Sequence, residues 1–158
     1  MKILVLGGTG AMGIHVVNIL AQRGHDLYVT SRKEHKACQN NIQYIVGNAR
    51  QFEFICGVLQ ERFDIIIDFM YYSELEFQKR YKMFLDNAQQ YIFLSSARVC
   101  AESEEPISEK SKRLLDADID KDYLQQKEYA LEKAREEDLL VNSGRKNWTI
   151  IRPYITYS

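Results

Sequence analysis

The chain has 158 residues, 46% of them hydrophobic, with 7 Phe and 10 Tyr, enough to bury one core of ordinary domain size. Its formal charge of -1 gives no net electrostatic drive toward nucleic acid or an anionic membrane, and a small, near-neutral partner fits better. No run approaches the roughly 20 apolar residues that cross a bilayer, and the N-terminus opens into a strand instead of a charged and then apolar leader, so a cytoplasmic protein is expected.

In chain order, residues 2–6, 27–30, 43–46, 65–69, 91–94 and 148–151 read as strands, separated by longer amphipathic stretches. That alternation implies βαβ units. Ile3-Leu4-Val5-Leu6 and Ile65-Ile66-Ile67 are continuously hydrophobic, as strands are when helices cover both faces of a parallel sheet. The fold class expected is therefore α/β, a doubly wound parallel sheet of the Rossmann type, with residues 1–158 forming one nucleotide-binding domain. Residues 100–122 are polar, carry Pro106 and a dense charge mixture, and read as a long surface loop. Cys38, Cys56 and Cys100 have neither Cys-x-x-Cys spacing nor nearby His clusters, so no disulfide framework or metal site is expected. Only five residues follow Pro153, so the second wall of a substrate pocket is expected outside this chain, in a missing lobe or another subunit.

The most specific signal is Gly7-Gly8-Thr9-Gly10-Ala11-Met12-Gly13, set between the first strand and a helix with apolar residues Ile14, Val17, Leu20 and Ala21. Gly7 permits a tight turn, Gly10 lets a diphosphate approach the backbone, and Gly13 lets helix and strand pack, while the helix N-terminus supplies free N–H groups. Gly7, Thr9, Gly10, Ala11, Met12 and Gly13 are thus candidate dinucleotide contacts. After the second strand, where NAD binders usually carry an acid for the ribose hydroxyls, this chain has Ser31, Arg32 and Lys33. A hydroxyl and two cations accept a 2′-phosphate that a carboxylate would repel, which favours NADP over NAD.

With these motifs in place, the whole chain resembles the extended short-chain dehydrogenases/reductases, the NAD-dependent epimerase/dehydratase family that includes UDP-galactose 4-epimerase. Gly47-Asn48 is similar to the family's Gly-Asp after the third strand, which implies that Asn48 holds the adenine amine. Residues 91–99, Tyr-Ile-Phe-Leu-Ser-Ser-Ala-Arg-Val, resemble the fifth-strand signature and put Ser96 in the catalytic Ser/Thr place. Pro106-Ile107-Ser108-Glu109 resembles the family's Pro-Ile-Thr-Glu, and Ile151-Arg152-Pro153 with Tyr157 its Arg-Pro-x-x-x-Tyr-Gly. The catalytic Tyr-x-x-x-Lys occurs twice, as Tyr123 with Lys127 and as Tyr129 with Lys133. Glu137, Leu139 and Leu140 follow Lys133 as in the family, so Tyr129 and Lys133 are the pair chosen. On one helix the Lys133 ammonium is expected beside the Tyr129 hydroxyl, where it would stabilise a phenolate.

Departures from the pattern are Asp68-Phe69-Met70-Tyr71-Tyr72, where the family has small residues along the diphosphate and nicotinamide ribose, Cys100 in place of Tyr, and Ser158 in place of Gly. Phe69 takes a cofactor-lining place by the same resemblance. The resemblance implies hydride chemistry on a sugar nucleotide or a similar hydroxyl-bearing substrate, by an epimerase, dehydratase or reductase, and pairing into a homodimer. A dinucleotide-sensing or partner-binding module without turnover is the alternative, and the bulk of Met70, Tyr71 and Tyr72 favours it.

Overall fold

A computed structural model of the chain describes residues 1–117 and 120–154. Strand β1 (Lys2–Leu6) runs through the glycine turn into helix α1 (Ala11–Gln22), followed by β2 (Asp26–Ser31), β3 (Ile42–Val46), α2 (Phe52–Val58) and β4 (Phe63–Asp68). Two short helices, α3 (Glu74–Gln78) and α4 (Tyr81–Asp86), lead to β5 (Ala88–Leu94), and α5 (Lys121–Leu124) and α6 (Tyr129–Val141) lead to β6 (Trp148–Ile151). Every strand pair is parallel, in the order β3-β2-β1-β4-β5-β6. This is the doubly wound α/β sheet expected from the hydrophobic runs.

Four strands begin earlier than the sequence reading places them, β2 and β3 by one residue, β4 by two and β5 by three. Ala88, Gln89 and Gln90 carry no hydrophobic signal, yet Ala88 pairs with Phe63 and Gln90 with Ile65, because ladder hydrogen bonds come from the backbone whatever the side chain.

The two sheet faces are covered unequally. On one, Val17 and Ala21 of α1 pack on Ile3, Val5, Leu27 and Val29. On the other, Ile55 of α2, Phe77 of α3, Phe84 of α4 and Leu140 of α6 pack on Leu4, Leu6, Ile66, Tyr91 and Phe93. Aromatic contacts run through this layer, with Phe77 5.0 Å from Phe93 and Phe84 stacked 5.3 Å from Tyr91, each worth about 0.5–1.5 kcal/mol beyond area burial. The buried stripe of α1 is Gly13, Val17 and Ala21, at intervals of four. Ile14, expected on that stripe, sits one residue round the helix and is exposed. The helix stops in a Schellman arrangement: Gly24 has φ of 78°, its N–H bonds the Ala21 carbonyl, and the His25 N–H bonds that of Leu20.

The segment expected as a loop is more organised than that over residues 100–117. Cys100 bridges Arg113 in antiparallel fashion, and a 3₁₀ turn occupies Leu114–Asp116. Tyr157 and Ser158, which carried part of the last family motif, lie outside the described residues. Among the described residues no helix is long and apolar enough to cross a membrane, and no His, Cys, Asp and Glu cluster suits a metal ion.

Candidate active site

In an all-parallel sheet the C-terminal ends of the strands share one edge, and a crevice opens where the strand order reverses, here between β1 and β4. The residues singled out from the sequence fall on that edge. Gly7 follows β1, Ser31 ends β2, Asn48 follows β3, Phe69 follows β4 and Ser96 follows β5.

The turn after β1 is built as a cradle for a phosphate. Gly7 has φ of 72°, and the Gly10 N–H bonds its carbonyl at 3.1 Å. Gly10 caps α1 with no side chain over the helix end, so the first-turn N–H groups face outward with the positive end of the helix dipole. Thr9, Gly10 and Ala11 are exposed and Met12 half-buried, in position for a ligand. A β-carbon on Gly10 would meet only the Gly7 carbonyl oxygen, at 3.4 Å, which leaves room for a diphosphate to approach. This open, uncapped turn fits a dinucleotide. Gly13 is different: its β-carbon would stand 2.6 Å from the Gly8 Cα, backbone that cannot move aside. Gly8, unassigned from the sequence, is equally constrained, because a β-carbon there would meet Val29 at 2.7 Å and Val5 at 2.9 Å. Gly13→Ala should cost about 1–3 kcal/mol in urea unfolding and weaken dinucleotide binding, since it separates α1 from β1.

Ser31 is buried as the last residue of β2, and its Oγ accepts the Lys33 N–H at 3.2 Å, which shapes the chain so that Arg32 stands exposed beside it. Asn48 forms a similar local turn, its Oδ1 accepting the Arg50 N–H at 3.1 Å. Phe69 packs partly into the α1 side of the core. Met70 crowds the glycine turn, with its sulfur 3.1 Å from where a Gly7 β-carbon would be.

At the other end of the crevice, Ser96 caps a 3₁₀ turn by accepting the Arg98 N–H at 3.2 Å, which leaves its hydroxyl hydrogen free to donate. Tyr129 opens α6 and is 36% exposed. Its ring lies 5.5 Å from that of Tyr71, and the Arg98 guanidinium lies 5.6 Å from its centre. α5 ends at Leu124, so Tyr123 and Lys127 do not share a helix. Tyr129 and Lys133 do.

The expected contact between them is corrected by the structure. Lys133 is 2% exposed, and its Nζ donates to Glu136 Oε2 at 2.9 Å with the Phe93 ring 4.4 Å away. Residues four apart share a helix face, but a long side chain goes where its charge is balanced, and the counter-charges lie inward. Asp68 is one of them, fully buried at the end of β4 and accepting from the Tyr91 hydroxyl at 2.8 Å and the Met70 N–H at 2.9 Å. Burial pushes the Asp68 carboxyl up to about 6 and that of Glu136 up to about 7, with Lys133 pulling both back. The Tyr71 hydroxyl donates to buried Glu132, and that bond is the main reason its phenol is pushed up to about 12.

A second ionic group anchors α6 to the polar segment and to β6. Glu137, buried, receives both Nε and a terminal nitrogen of Arg152 at 2.9 and 2.7 Å, and Arg113 bridges it to Asp138. Beyond this group a cleft of about 1310 Å³ runs along the β6 edge, walled by Ile107, Trp148 and Ile151, away from the glycine turn.

Comparison with known proteins agrees with a dinucleotide-binding fold. A family model described as NAD(P)H-binding matches residues 7–157. The chain belongs to that family. The NAD(P)H-binding chain is also 26% identical, over 171 residues and 99% of its length, to the chloroplast stem-loop binding protein of 41 kDa b of Arabidopsis thaliana, of which it covers 42%. Among solved structures it is similar to the UDP-N-acetylglucosamine 4-epimerase of Bacillus cereus, with TM-score 0.66 and 21% identity, over 95% of this chain and 53% of that one. It is also similar to a putative NADH-flavin reductase of Streptococcus pneumoniae, with TM-score 0.63 and 25% identity, over 97% of this chain and 71% of that one. The chain thus spans less than half the length of the curated relative and about half that of the epimerase.

Proposed function

We propose that this chain forms the cofactor-binding part of an NADP-dependent oxidoreductase or epimerase acting on a sugar nucleotide or a similar hydroxyl-bearing substrate. The observation that carries the reading is the placement of the glycine turn, Ser31 with Arg32, Asn48, Phe69 and Ser96 on one sheet edge, with Tyr129 exposed at the head of α6. The glycine turn holds the diphosphate, Asn48 the adenine amine, and Ser31 with Arg32 a 2′-phosphate. A bound nicotinamide supplies hydride exchange at its C4. Ser96 donates its hydroxyl hydrogen to the reacting oxygen, and Tyr129 exchanges the proton of that oxygen with the substrate. Lys133 serves the ribose.

A module that holds the cofactor without turnover is the second reading, supported by the Lys133 bond to Glu136 and by the Met70 sulfur against Gly7. Fluorescence titration with NADPH and NADH, and rapid-mixing absorbance with a panel of nucleotide sugars and free flavin, distinguish the readings. NADPH should bind more tightly than NADH in wild type, and Arg32→Ala should lose roughly tenfold in NADPH affinity alone, the equivalent of one charge-assisted contact. Tyr129→Phe should keep cofactor affinity and abolish hydride transfer. Equal affinity for both cofactors in wild type sinks the NADP assignment, and tight binding with no turnover on the whole panel selects the module.

A further inference from the structure

An ammonium as enclosed as that of Lys133 needs a counter-charge, and the fold supplies two carboxyls for it. Glu136 lies on the same helix, 2.9 Å away, and the carboxyl of Asp68, at the end of β4, acts on the ammonium at longer range. Both carboxyls are fully buried. Asp68 is well satisfied by Tyr91 and the Met70 N–H, but Glu136 commits only Oε2 to Lys133 and leaves Oε1 buried without a partner. The remaining groups facing this cluster are Glu132 from α6, Tyr71 and Tyr72 from the segment after β4, and Tyr91 from β5. Burial and the neighbouring carboxylates keep the phenols of Tyr72 and Tyr91 protonated, so the exchangeable proton belongs to the two acids. Two buried carboxyls near one ammonium do not both ionise readily, and the one with an orphaned oxygen is the better place for a proton.

We infer that Glu136 is a positioning residue for Lys133: ionised, it holds the ammonium inward against Phe93, and protonated, it releases Lys133 to the ribose hydroxyls of a bound nicotinamide cofactor. The inference rests on the reading above that Lys133 serves that ribose. Burial places the exchange of the Glu136 proton near neutrality. The direction follows: lower pH frees Lys133, and higher pH retains it.

The test is NADH affinity between pH 6 and pH 8, measured by fluorescence titration. NADH is the probe because it lacks a 2′-phosphate that would itself titrate in this range. Wild type should bind roughly tenfold more tightly at pH 6 than at pH 8, the equivalent of one charge-assisted hydrogen bond. Glu136→Gln should bind tightly with a flat profile, Lys133→Met weakly with a flat profile, and Glu136→Asp, which retains a carboxyl, should keep part of the slope. In the cofactor-free protein, the Lys133 ammonium protons, assigned in ¹⁵N NMR by their loss in Lys133→Met, should be protected from exchange at pH 8 and lose that protection in Glu136→Gln. Parallel profiles in wild type and Glu136→Gln, or unchanged protection, overturn this inference while leaving the cofactor reading intact. Failure of wild type to bind either dinucleotide at any pH overturns both.

Discussion

Lys133→Met should leave the folded state about as stable as wild type at pH 5 and weaken it by about 3 kcal/mol at pH 8. In wild type the folded-state values of Asp68 and Glu136, about 6 and about 7, stand above the ordinary 3.8 and 4.5. A carboxyl raised on folding favours the folded state fully below its unfolded value, near pH 4. That contribution is lost as pH climbs through the folded values, so stability from these two groups falls between about pH 4 and pH 7. Lys133 limits the fall, since its charge lowers both acids. Without it each acid is raised further, and the folded state loses more as pH rises. At pH 5 the acids are protonated in both proteins, and a methionine in an apolar site beside Phe93 is no worse than an ammonium without a counter-ion. Urea unfolding at pH 5, 6, 7 and 8 gives the comparison. A difference between the two proteins that does not grow with pH would show that the acids do not answer to Lys133.

The sheet was legible because its signals are local. Continuous apolar runs such as Ile3 to Leu6 mark strands buried on both faces, and a glycine turn between a strand and a helix has few other uses. The start of β5 was hidden because Ala88-Gln89-Gln90 joins the sheet through its backbone and through the side-chain amides of Gln89 and Gln90, which bond Asp64 and Thr149, and none of these leaves an apolar run in the sequence. Gly8 was passed over because its constraint is set by Val5, Val17 and Val29, which only the fold brings to it. The same holds for the inward turn of Lys133. Four-residue spacing is the same in both Tyr-x-x-x-Lys pairs; only the fold shows that Tyr129 and Lys133 share α6 while α5 ends at Leu124, and spacing carries no information on which neighbours balance a buried charge. Asp68 read as part of a departure from the family pattern, and Glu136 as nothing at all. They are the residues that decide where the lysine points.

Glu137 presents the opposite case, a residue noticed in the sequence for one reason and used in the structure for another. It served as a marker of the Tyr-x-x-x-Lys helix, and in the fold its carboxylate takes two nitrogens of Arg152 and one of Arg113 while fully buried. Arg152 is held ionised chiefly by its hydrogen bonds to Glu137. The end of β6 is further tied to the end of β5, the Ser95 N–H bonding the Ile151 carbonyl at 2.8 Å and the Ala97 N–H that of Pro153 at 3.0 Å. Glu137 therefore fixes the backbone on either side of Ser96. Glu137→Ala leaves Arg152 unpaired and removes a shared anchor from Arg113, which retains Asp116 and Asp138, and should cost about 3–5 kcal/mol in urea unfolding. Arg152→Met added to it should recover part of that loss, because it removes the stranded charge. Dinucleotide affinity of the molecules that remain folded should change less than twofold, roughly 0.4 kcal/mol, since the glycine turn is anchored by β1 and α1. If Ser96 serves the reacting oxygen as proposed above, turnover should fall by considerably more. A cost below about 1 kcal/mol, the range of exposed pairs, would mean that water already reaches Glu137 and that the segment from Cys100 to Arg113 is held by its own bridge instead.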